Sequence, residues 1–272
     1  MASAAPSRRR VHIDPLALIL PVGLLLLWWG AAKFGFIQNP LLPTIEDVGA
    51  SAREWMFSSS NRYFFSGTWW RDLIGSVMRV SVGLIVGSAL AIFVGTVVGW
   101  YSTVERVFDP TIQMLRPIPK TAFLPFAILI FGVGNPPALF LTIYGVFLTV
   151  YIQVVVGVKL VPRDLKRAAR MLGARDRDVL LRVVLPAALP SIFAGIRVGA
   201  AYAWLILILA EMLAVGEGFG FVLWRGYENL RMDVVVMSML CIGVFGYLTD
   251  RLIIAALRSK LSWAQDVADT RL

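Results

Sequence analysis

The chain has few charged residues, one cysteine and one histidine, and each shortage excludes a class of protein. Only 16% of its 272 residues are charged, whereas 58% are hydrophobic and the mean hydropathy is +0.75. A soluble domain of this length cannot bury so much apolar surface, so the lipid bilayer must be part of its solvent. The single Cys241 excludes an intrachain disulfide. The single His12 argues against a histidine-rich metal site, and we interpret it as part of a solvated tail.

Two further absences concern nucleotides and catalysis. The sequence contains no Gly-x4-Gly-Lys-Ser/Thr loop, and Gly132-Val133-Gly134 lacks the context of a nucleotide-binding loop. If ATP drives this protein, another chain binds it. One terminal histidine, one cysteine and scattered acids also fail to supply the clustered set that an enzyme needs. We therefore expect no enzymatic activity, no catalytic residue, no metal and no cofactor in this chain.

Apolar runs indicate about six membrane-spanning helices, so the expected fold is an all-α polytopic membrane protein. A spanning helix needs about 20 mostly apolar residues. The uncharged stretch 121–158 is interrupted at 132–137 by residues that favour a turn, which predicts two spans joined there. The apolar core of the first run exceeds the about 7–15 residues of a secretory signal, which favours an uncleaved helix. The other predicted spans are 15–32, 80–104, 191–213 and 234–257.

Basic residues set the orientation of these spans. An N-terminus in the cytoplasm places 18 Lys and Arg inside and 6 outside, which is the bias that the positive-inside rule requires. The net charge of +9 is then a signature of topology, and its spread between apolar spans argues against nucleic-acid binding. The inside segments are 1–14, 102–120, 159–190 and 250–272, and the outside segments are 33–72, 132–137 and 214–233. The predicted domains are a cytoplasmic tail (1–14), a transmembrane domain (15–258) and a C-terminal cytoplasmic tail (259–272).

The second span carries a small residue at every fourth position, which predicts close packing against another helix. Helices in lipid associate through such small-residue ridges because lipid removes the hydrophobic drive between them. The ridge consists of Gly83, Gly87, Ala91, Gly95 and Gly99.

Polar residues within the spans are candidates for a translocation pathway or gate, because charge within a membrane is costly. Fourteen residues, or about 21 Å of helix, separate Arg197 from Glu211, so the two cannot pair. Their shared face, with Tyr202 and Trp204 between them, is assigned to the bundle interior. The alternative for Arg197 is snorkelling or capping near the cytoplasmic boundary. The candidates are Lys120, Gln153, Arg197, Tyr202 and Glu211.

Two of these candidates have a structural alternative. For Glu211 it is an ion pair with Arg79 of the second span, and for Lys120 it is snorkelling towards the cytoplasm. Gln153 is a weaker candidate, chosen because it is the one side-chain amide of 121–158 besides the turn residue Asn135.

The basic loop, residues 159–190, is the most informative segment. Leu165, Ala168, Ala169 and Leu172 follow helical spacing, which predicts a short amphipathic helix that Gly173 ends. A second short helix is expected from about 175 to 184, before Pro186 and Pro190 redirect the chain. Two short helices around a glycine make a compact knob whose small residues let a partner's groove approach the backbone, with arginines at the rim. The alternative is a surface loop that lies on anionic lipid headgroups.

Spacing and sequence in this loop resemble the "EAA" coupling loop of permease subunits of bacterial ABC importers. Arg167 stands where the family usually has Glu. The order of further motifs is similar to the nitrate, sulfonate and taurine branch, and the similarity covers roughly 40–260. In the loop the resemblance rests on Arg167, Ala168, Ala169, Arg170, Met171, Leu172, Gly173, Ala174 and Arg175, followed by Leu185-Pro186. Elsewhere it rests on Leu115-Arg116-Pro117-Ile118-Pro119, Phe131-Gly132-Val133-Gly134, Ala210-Glu211-Met212-Leu213 and the region 224–251.

This resemblance implies a type I (MetI-like) importer permease in the cell inner membrane, with residues 167–175 as the contact to the ATPase. The expected partners are a second permease copy, cytoplasmic ATPase subunits that hold ATP and Mg, and a periplasmic or lipid-anchored solute-binding protein. The solute would be a small anion or organic acid, such as nitrate, a sulfonate, taurine or an aromatic carboxylate, moved by alternating access.

A self-sufficient channel or secondary carrier is the main alternative function. Such a protein needs its own filter or coupling-ion site near the membrane midplane. The sequence has no obvious carboxylate there, and it lacks the inverted repeat of many carriers. Dependence of uptake on a co-expressed ATPase separates the two functions.

Overall fold

The computed structural model describes residues 19–20, 23, 26–30, 43–59 and 62–258, with 257 and 258 described by backbone alone. The regular structure of these ranges is helical, which confirms the all-α class. The helices are α1 (Ile45–Phe57), α2 (Trp69–Trp100), α3 (Ser102–Leu115), α4 (Leu124–Phe131), α5 (Asn135–Leu160), α6 (Arg163–Met171), α7 (Asp176–Val179), α8 (Leu185–Ala214), α9 (Phe219–Glu228) and α10 (Met232–Arg258). A 3₁₀ turn (Lys120–Phe123) precedes α4, and a π-helical turn (Leu180–Val184) precedes α8.

Four runs among the described residues are long and apolar enough to cross a membrane, namely α2, α5, the α7–α8 run and α10. A fifth span is formed if α3 and residues 120–131 are counted together. The predicted number of six is not confirmed, because the first predicted span, 15–32, lies largely outside the described residues. Its described positions are helical. The tails 1–14 and 259–272, with His12, lie outside the described residues altogether.

Small residues on α2 let α5 pack directly against its backbone. A Cβ added to Gly87 would lie 2.9 Å from Val146, and one added to Gly95 would lie 2.9 Å from Val154. The predicted ridge is therefore confirmed. Helices α2, α5 and α8 form the core of the bundle. The loop end of the bundle is where α5 ends at Leu160 and α8 begins at Leu185, within the basic loop. The cap end is the opposite end, where the N–H of Gly134 donates to the carbonyl of Ala214 at 2.7 Å.

The segment 102–120, which is predicted to lie on the inside, is mostly the helix α3. Residues 102–115 and 120–131 are bent by 89° relative to each other. Pro117 and Pro119 lie at the bend, and their missing N–H groups prevent a continuous helix. The helix that follows therefore begins irregularly, with the 3₁₀ turn Lys120–Phe123. The predicted span at 121–131 is a 3₁₀ turn and an eight-residue α4, too short to cross a bilayer alone.

The chain enters α8 through a widened helical turn. The turn Leu180–Val184 is continuous with α7 and α8, and both Pro186 and Pro190 lie within α8. The prediction that these prolines redirect the chain is wrong. Pro186 stands in the first turn of α8, where the wide turn before it accommodates the ring and the lost hydrogen bond.

The predicted turn at 132–137 is confirmed in its first half. Gly132 and Gly134 have φ values of 77° and 128°, which L side chains rarely adopt. Helix α5 begins directly afterwards at Asn135, so Pro136 and Pro137 lie in its first turn, where proline is tolerated.

Candidate functional site

The basic loop forms the predicted helix and glycine turn, and it exposes part of the predicted contact set. Gly173, at φ +84°, ends α6 as predicted. Ala169 and Ala174 pack partly buried against the core. The side chains that project are Met171 and Leu172, which are 88% and 89% exposed. The loop therefore presents an apolar tip at residues 171–173 beside the exposed Ala168, while Ala169 and Ala174 are partly buried.

Cations crowd the flank of this tip. Arg170 pairs with Asp176 at 3.0 Å, whereas Arg167, with a side chain 72% exposed, is 3.9 Å from Asp164. Burial lowers the pKa of Lys166, and the neighbouring positive charges of Arg163 and Arg170 lower it further. The surface thus combines exposed apolar groups with surplus positive charge, which suits a partner surface that carries acid.

A second polar feature, the cap cluster, lies buried at the cap end. Arg79 donates to Glu211 Oε1 at 2.7 Å and to Glu217 Oε1 at 2.7 Å. The sequence predicts the first of these pairs as the structural alternative for Glu211, and the structure contains it. The cluster consists of Asp72, Ser76, Arg79, Asn135, Glu211 and Glu217.

The cap cluster holds the start of α9 against α2 and α8. Asp72 accepts from the N–H of Gly218 at 2.9 Å, Ser76 from that of Phe219 at 3.0 Å, and Glu211 from that of Gly220 at 3.0 Å. These N–H groups at the start of α9 would otherwise lack partners within the helix. Asp72 also accepts from the indole of Trp55 at 3.0 Å, which adds α1 to the assembly.

Sequence reasoning missed most of the cap cluster. It placed Asp72 in an outside loop and gave no role to Ser76 or Glu217. The available signal was the spacing of 72, 76 and 79, which puts three polar side chains on one face of an apolar helix.

A third feature, the Arg197–Asp250 pair, joins α8 to α10. Arg197 Nε and Asp250 Oδ1 are 2.8 Å apart, and a second hydrogen bond of 3.1 Å makes the contact bidentate. The two side chains are 48% and 36% exposed. Arg197 is thus half-exposed and contacts α10, whereas Glu211 and Trp204 of the same helix are buried. Asp250 was assigned to the inside tail, and it is a polar partner that sequence reasoning missed.

Lys120 lies beside the middle of α5 and α8. A Cβ on Gly145 would be 4.0 Å from Lys120 Cγ, and Lys120 Nζ is 5.5 Å from the ring centre of Tyr202. Gly145 is ten residues, or about 15 Å, from the cap end of α5. The ammonium of Lys120 therefore lies beside Tyr202 at this depth, and its snorkelling towards the cytoplasm stays a prediction.

Of the five predicted pathway candidates, the structure brings Lys120 and Tyr202 together. Tyr202 is 41% exposed. Gln153 is separate from them and packs against α8, with its Cβ 2.7 Å from the position that a Cβ on Gly195 would take. Glu211 belongs to the buried cap cluster. Among the described residues, no group of three or more His, Cys, Asp or Glu side chains is placed to hold a metal ion.

Residues 83–259 match the family "binding-protein-dependent transport system inner membrane component". The chain is 37% identical over 238 residues to a putative ABC transporter permease, MJ0413, of Methanocaldococcus jannaschii, with 87% of each chain covered. It is 32% identical over 264 residues to the taurine transport system permease TauC of Escherichia coli, which covers 96% of this chain and 93% of TauC. Other similar proteins are named as permeases for aliphatic sulfonates and for nitrate.

The fold is similar to that of a chain in the inward-facing MetNI methionine ABC transporter, with a TM-score of 0.58 and 18% identity over 69% of this chain and 95% of that one. The helical fold, the polar groups held within its spans and the similarity along most of its length agree with one another. The chain therefore belongs to the binding-protein-dependent transport system inner membrane components: it is the multi-pass permease subunit of an ABC importer, which works with a solute-binding protein and with separate subunits that hydrolyse ATP.

Proposed function

We propose that two copies of this chain form a permease for a small organic or inorganic anion, and that each copy seats its basic loop in a groove of an ATPase subunit. The observation that carries the proposal is the tip of that loop. Met171 and Leu172 are almost fully exposed, and apolar groups at such an apex suit insertion into a partner's groove.

The loop is suited to transmit movement because it is joined rigidly to the bundle. The α7–α8 run is one continuous helix of 39 residues, and its first turns belong to the basic loop. Ala169 and Ala174 pack against the core. A shift of the tip on ATP binding is therefore passed to α8, in contrast to a flexible loop lying on lipid, which would transmit nothing.

The pathway is proposed beside Lys120 and Tyr202. The Arg197–Asp250 pair lies five residues, or about 140° around α8, from Tyr202, and it is proposed to line the pathway nearer the loop end. Charged groups within a span are stable only against water or another protein surface. Their exposure in a single copy supports a second copy, with the pathway between the two. Gln153 and Glu211 are assigned lesser roles, because Gln153 packs between helices and Glu211 is fully buried.

An anion is the proposed solute class. Lys120 forms no ion pair with a described residue, so it offers an uncompensated positive charge at mid-depth. Relatives named for taurine, aliphatic sulfonates and nitrate transport molecules that are anionic or carry an anionic group. Arg197 adds a second cation, although Asp250 neutralises it in this conformation.

The basic loop is proposed to lie in the cytoplasm, with both termini on the same side, and the cap end faces the solute-binding protein. The excess of Lys and Arg in the predicted inside segments supports this orientation. Helices α1 and α9 would then form the outer surface on which the binding protein docks.

Uptake in proteoliposomes tests the proposal. The chain, purified with its co-expressed ATPase, should import the ligand of the binding protein only when ATP and the ATPase are present. Calorimetry on that binding protein identifies the ligand. Uptake by the chain alone, driven by a solute or ion gradient, would instead indicate a self-sufficient carrier. Cross-linking of the purified complex reports whether it contains two copies of the chain.

A further inference from the structure

A stripe of polar side chains runs along α3. Glu105, Asp109, Gln113 and Arg116 are spaced by four, four and three residues, so they lie within about 80° of one another around the helix. Met114, on the opposite side, is 76% exposed. An amphipathic helix within a span needs water or protein against its polar face.

This stripe rises from the loop end of the bundle towards its middle. At its start, Glu105 pairs at 2.6 Å with Lys159, next to the last residue of α5. Four residues beyond its end, Lys120 lies beside Gly145 of the same helix. Fourteen residues separate Lys159 from Gly145, so the polar side chains climb about 21 Å along α5.

A cavity of about 230 Å³ opens between α3 and α5 along the upper part of the stripe. Asp109, Gln113 and Arg116 line it from α3, and Tyr151 and Lys159 line it from α5. Tyr151 is 1% exposed, and its buried hydroxyl has no hydrogen-bond partner among the described residues. Buried polar groups in proteins almost always have a partner, so this hydroxyl indicates a missing one.

Two charged groups of this cavity, Arg116 and Asp109, have no ionic partner among the described residues, and Arg116 is the cation of the two. Lys159 is paired with Glu105, and the amide of Gln113 donates to Asp109 at 2.8 Å. Arg116 forms no ion pair or hydrogen bond with any described residue. A free guanidinium and a free hydroxyl both donate hydrogen bonds, and an oxyanion accepts from both.

We infer that the α3–α5 cavity is a subsite for the transported oxyanion on the loop side of the pathway, with Arg116 and the hydroxyl of Tyr151 as its ligands. The inference rests on the proposed function and extends it to residues outside the predicted pathway set. The anion moves from Lys120 to Arg116, four residues along the stripe, and leaves past the paired Glu105 and Lys159.

Cysteine labelling of the full complex in nanodiscs tests whether the stripe faces water. The natural Cys241 is replaced by serine, and Gln113→Cys and Met114→Cys are compared as neighbours on opposite faces of α3. The probe is the anionic reagent 2-sulfonatoethyl methanethiosulfonate. We expect Gln113→Cys to be labelled at least about tenfold faster than Met114→Cys, because a thiol in lipid neither ionises nor meets the reagent. Equal rates at the two positions overturn the inference.

Methanesulfonate, a small oxyanion, is then added to test whether an anion that binds in the cavity slows the labelling of Gln113→Cys. Removing Arg116 by Arg116→Gln should raise the half-protecting concentration about tenfold or more, and Tyr151→Phe about threefold to tenfold, as expected for lost charged and neutral hydrogen bonds. Arg106→Gln and Tyr144→Phe are the matched controls. Arg106 does not line the cavity, and Tyr144 has a buried hydroxyl without a partner that lies outside it. Protection unaffected by both test variants overturns the inference, as does an equal effect of the controls.

Two further results separate the possible explanations. In nanodiscs of phosphatidylcholine alone, methanesulfonate should still protect Gln113→Cys from labelling. Protection only by added phosphatidylglycerol would identify a lipid headgroup as the occupant and overturn the inference. Failure of the wild-type complex to couple uptake to ATP contradicts the proposed function. A coupled complex in which Arg116→Gln and Tyr151→Phe transport normally contradicts the subsite alone.

Discussion

Arg79 and Glu211, 132 positions apart in the sequence, form a 2.7 Å ion pair in which both side chains are almost completely buried. Arg79 also reaches Glu217 at 2.7 Å. One guanidinium thus contacts two carboxylates and joins α2 to the end of α8 and to the turn before α9. The cap end depends on this residue more than on either acid.

We expect Arg79→Gln to destabilise the permease more than Glu211→Gln. Breaking a buried ion pair costs about 3–5 kcal/mol because it leaves an uncompensated charge. Arg79→Gln leaves the buried Glu211 without a cation and leaves Glu217 only Arg71, at 3.7 Å. Glu211→Gln leaves Arg79 with Glu217. Thermal unfolding in detergent measures the difference. The control is Arg225→Gln, whose pair with Glu228 is exposed and should contribute less than about 1 kcal/mol. If Arg79→Gln and the control lower the unfolding temperature equally, the cap cluster is dispensable for stability.

Gly87→Ala should destabilise the bundle, although alanine is the better helix former. A Cβ at this position would lie 2.8 Å from the carbonyl oxygen of Ile143 and 2.9 Å from Val146, and overpacking of this kind costs about 1–3 kcal/mol. Gly243→Ala in α10 is the same change in open space, and it should be neutral or stabilising. The melting temperatures of the two variants decide the matter. A lower value for Gly243→Ala would contradict the packing argument.

Gly173→Trp should abolish transport while membrane insertion survives, because bulk at the tip prevents seating in the ATPase. A tryptophan also resists the positive φ of this position. Gly173→Asn is therefore the control, since asparagine tolerates that conformation with little bulk and should retain most activity. The measurement is solute-stimulated ATP hydrolysis by the reconstituted complex. Normal stimulation in Gly173→Trp would rule out docking through this tip.

Arg167→Glu should weaken assembly with the ATPase if the facing groove carries an acid. Arg167 is exposed and 3.9 Å from Asp164, so its charge is available to a partner. Co-purification measures assembly, and reversal of the partner's charge should restore it. Arg182→Glu, with a side chain 82% exposed in the same loop, controls for general charge effects. Co-purification that does not respond to Arg167→Glu would place this residue at the periphery of the contact.

Arg197→Gln should reduce uptake about tenfold while assembly and basal ATP hydrolysis remain, because the pathway loses a cation and Asp250 is left unpaired. The double variant Arg197→Gln with Asp250→Asn separates the two causes. Uptake that stays low in the double variant indicates that the cation itself contacts the anion. Full recovery would mean that Arg197 only neutralises Asp250. Protein levels measured in parallel identify a purely structural loss, which would contradict the pathway role.

Local sequence predicted the apolar helices well, for a physical reason. Within lipid a chain must satisfy its own backbone hydrogen bonds, so a long apolar run has almost no alternative to a helix. The ridge of Gly87 and Gly95 followed from the same logic, since small residues at a fixed interval are useful only to a close neighbour. Helix α6 and its end at Gly173 are likewise local, set by helical spacing and by a backbone conformation that glycine adopts readily.

The tertiary structure decided which polar groups meet. Asp250 was counted with the inside segment 250–272, and only packing of α8 against α10 showed it paired with a residue 53 positions away. The residues of α3 were assigned to the inside segment 102–120, and only the position of α3 beside α5 showed that its polar side chains line a cavity. Sequence by itself determined that this chain spans a membrane as a bundle of helices with a basic loop, because those features depend on neighbouring residues. The partners of its charges depended on contacts between distant helices, which no local pattern specifies.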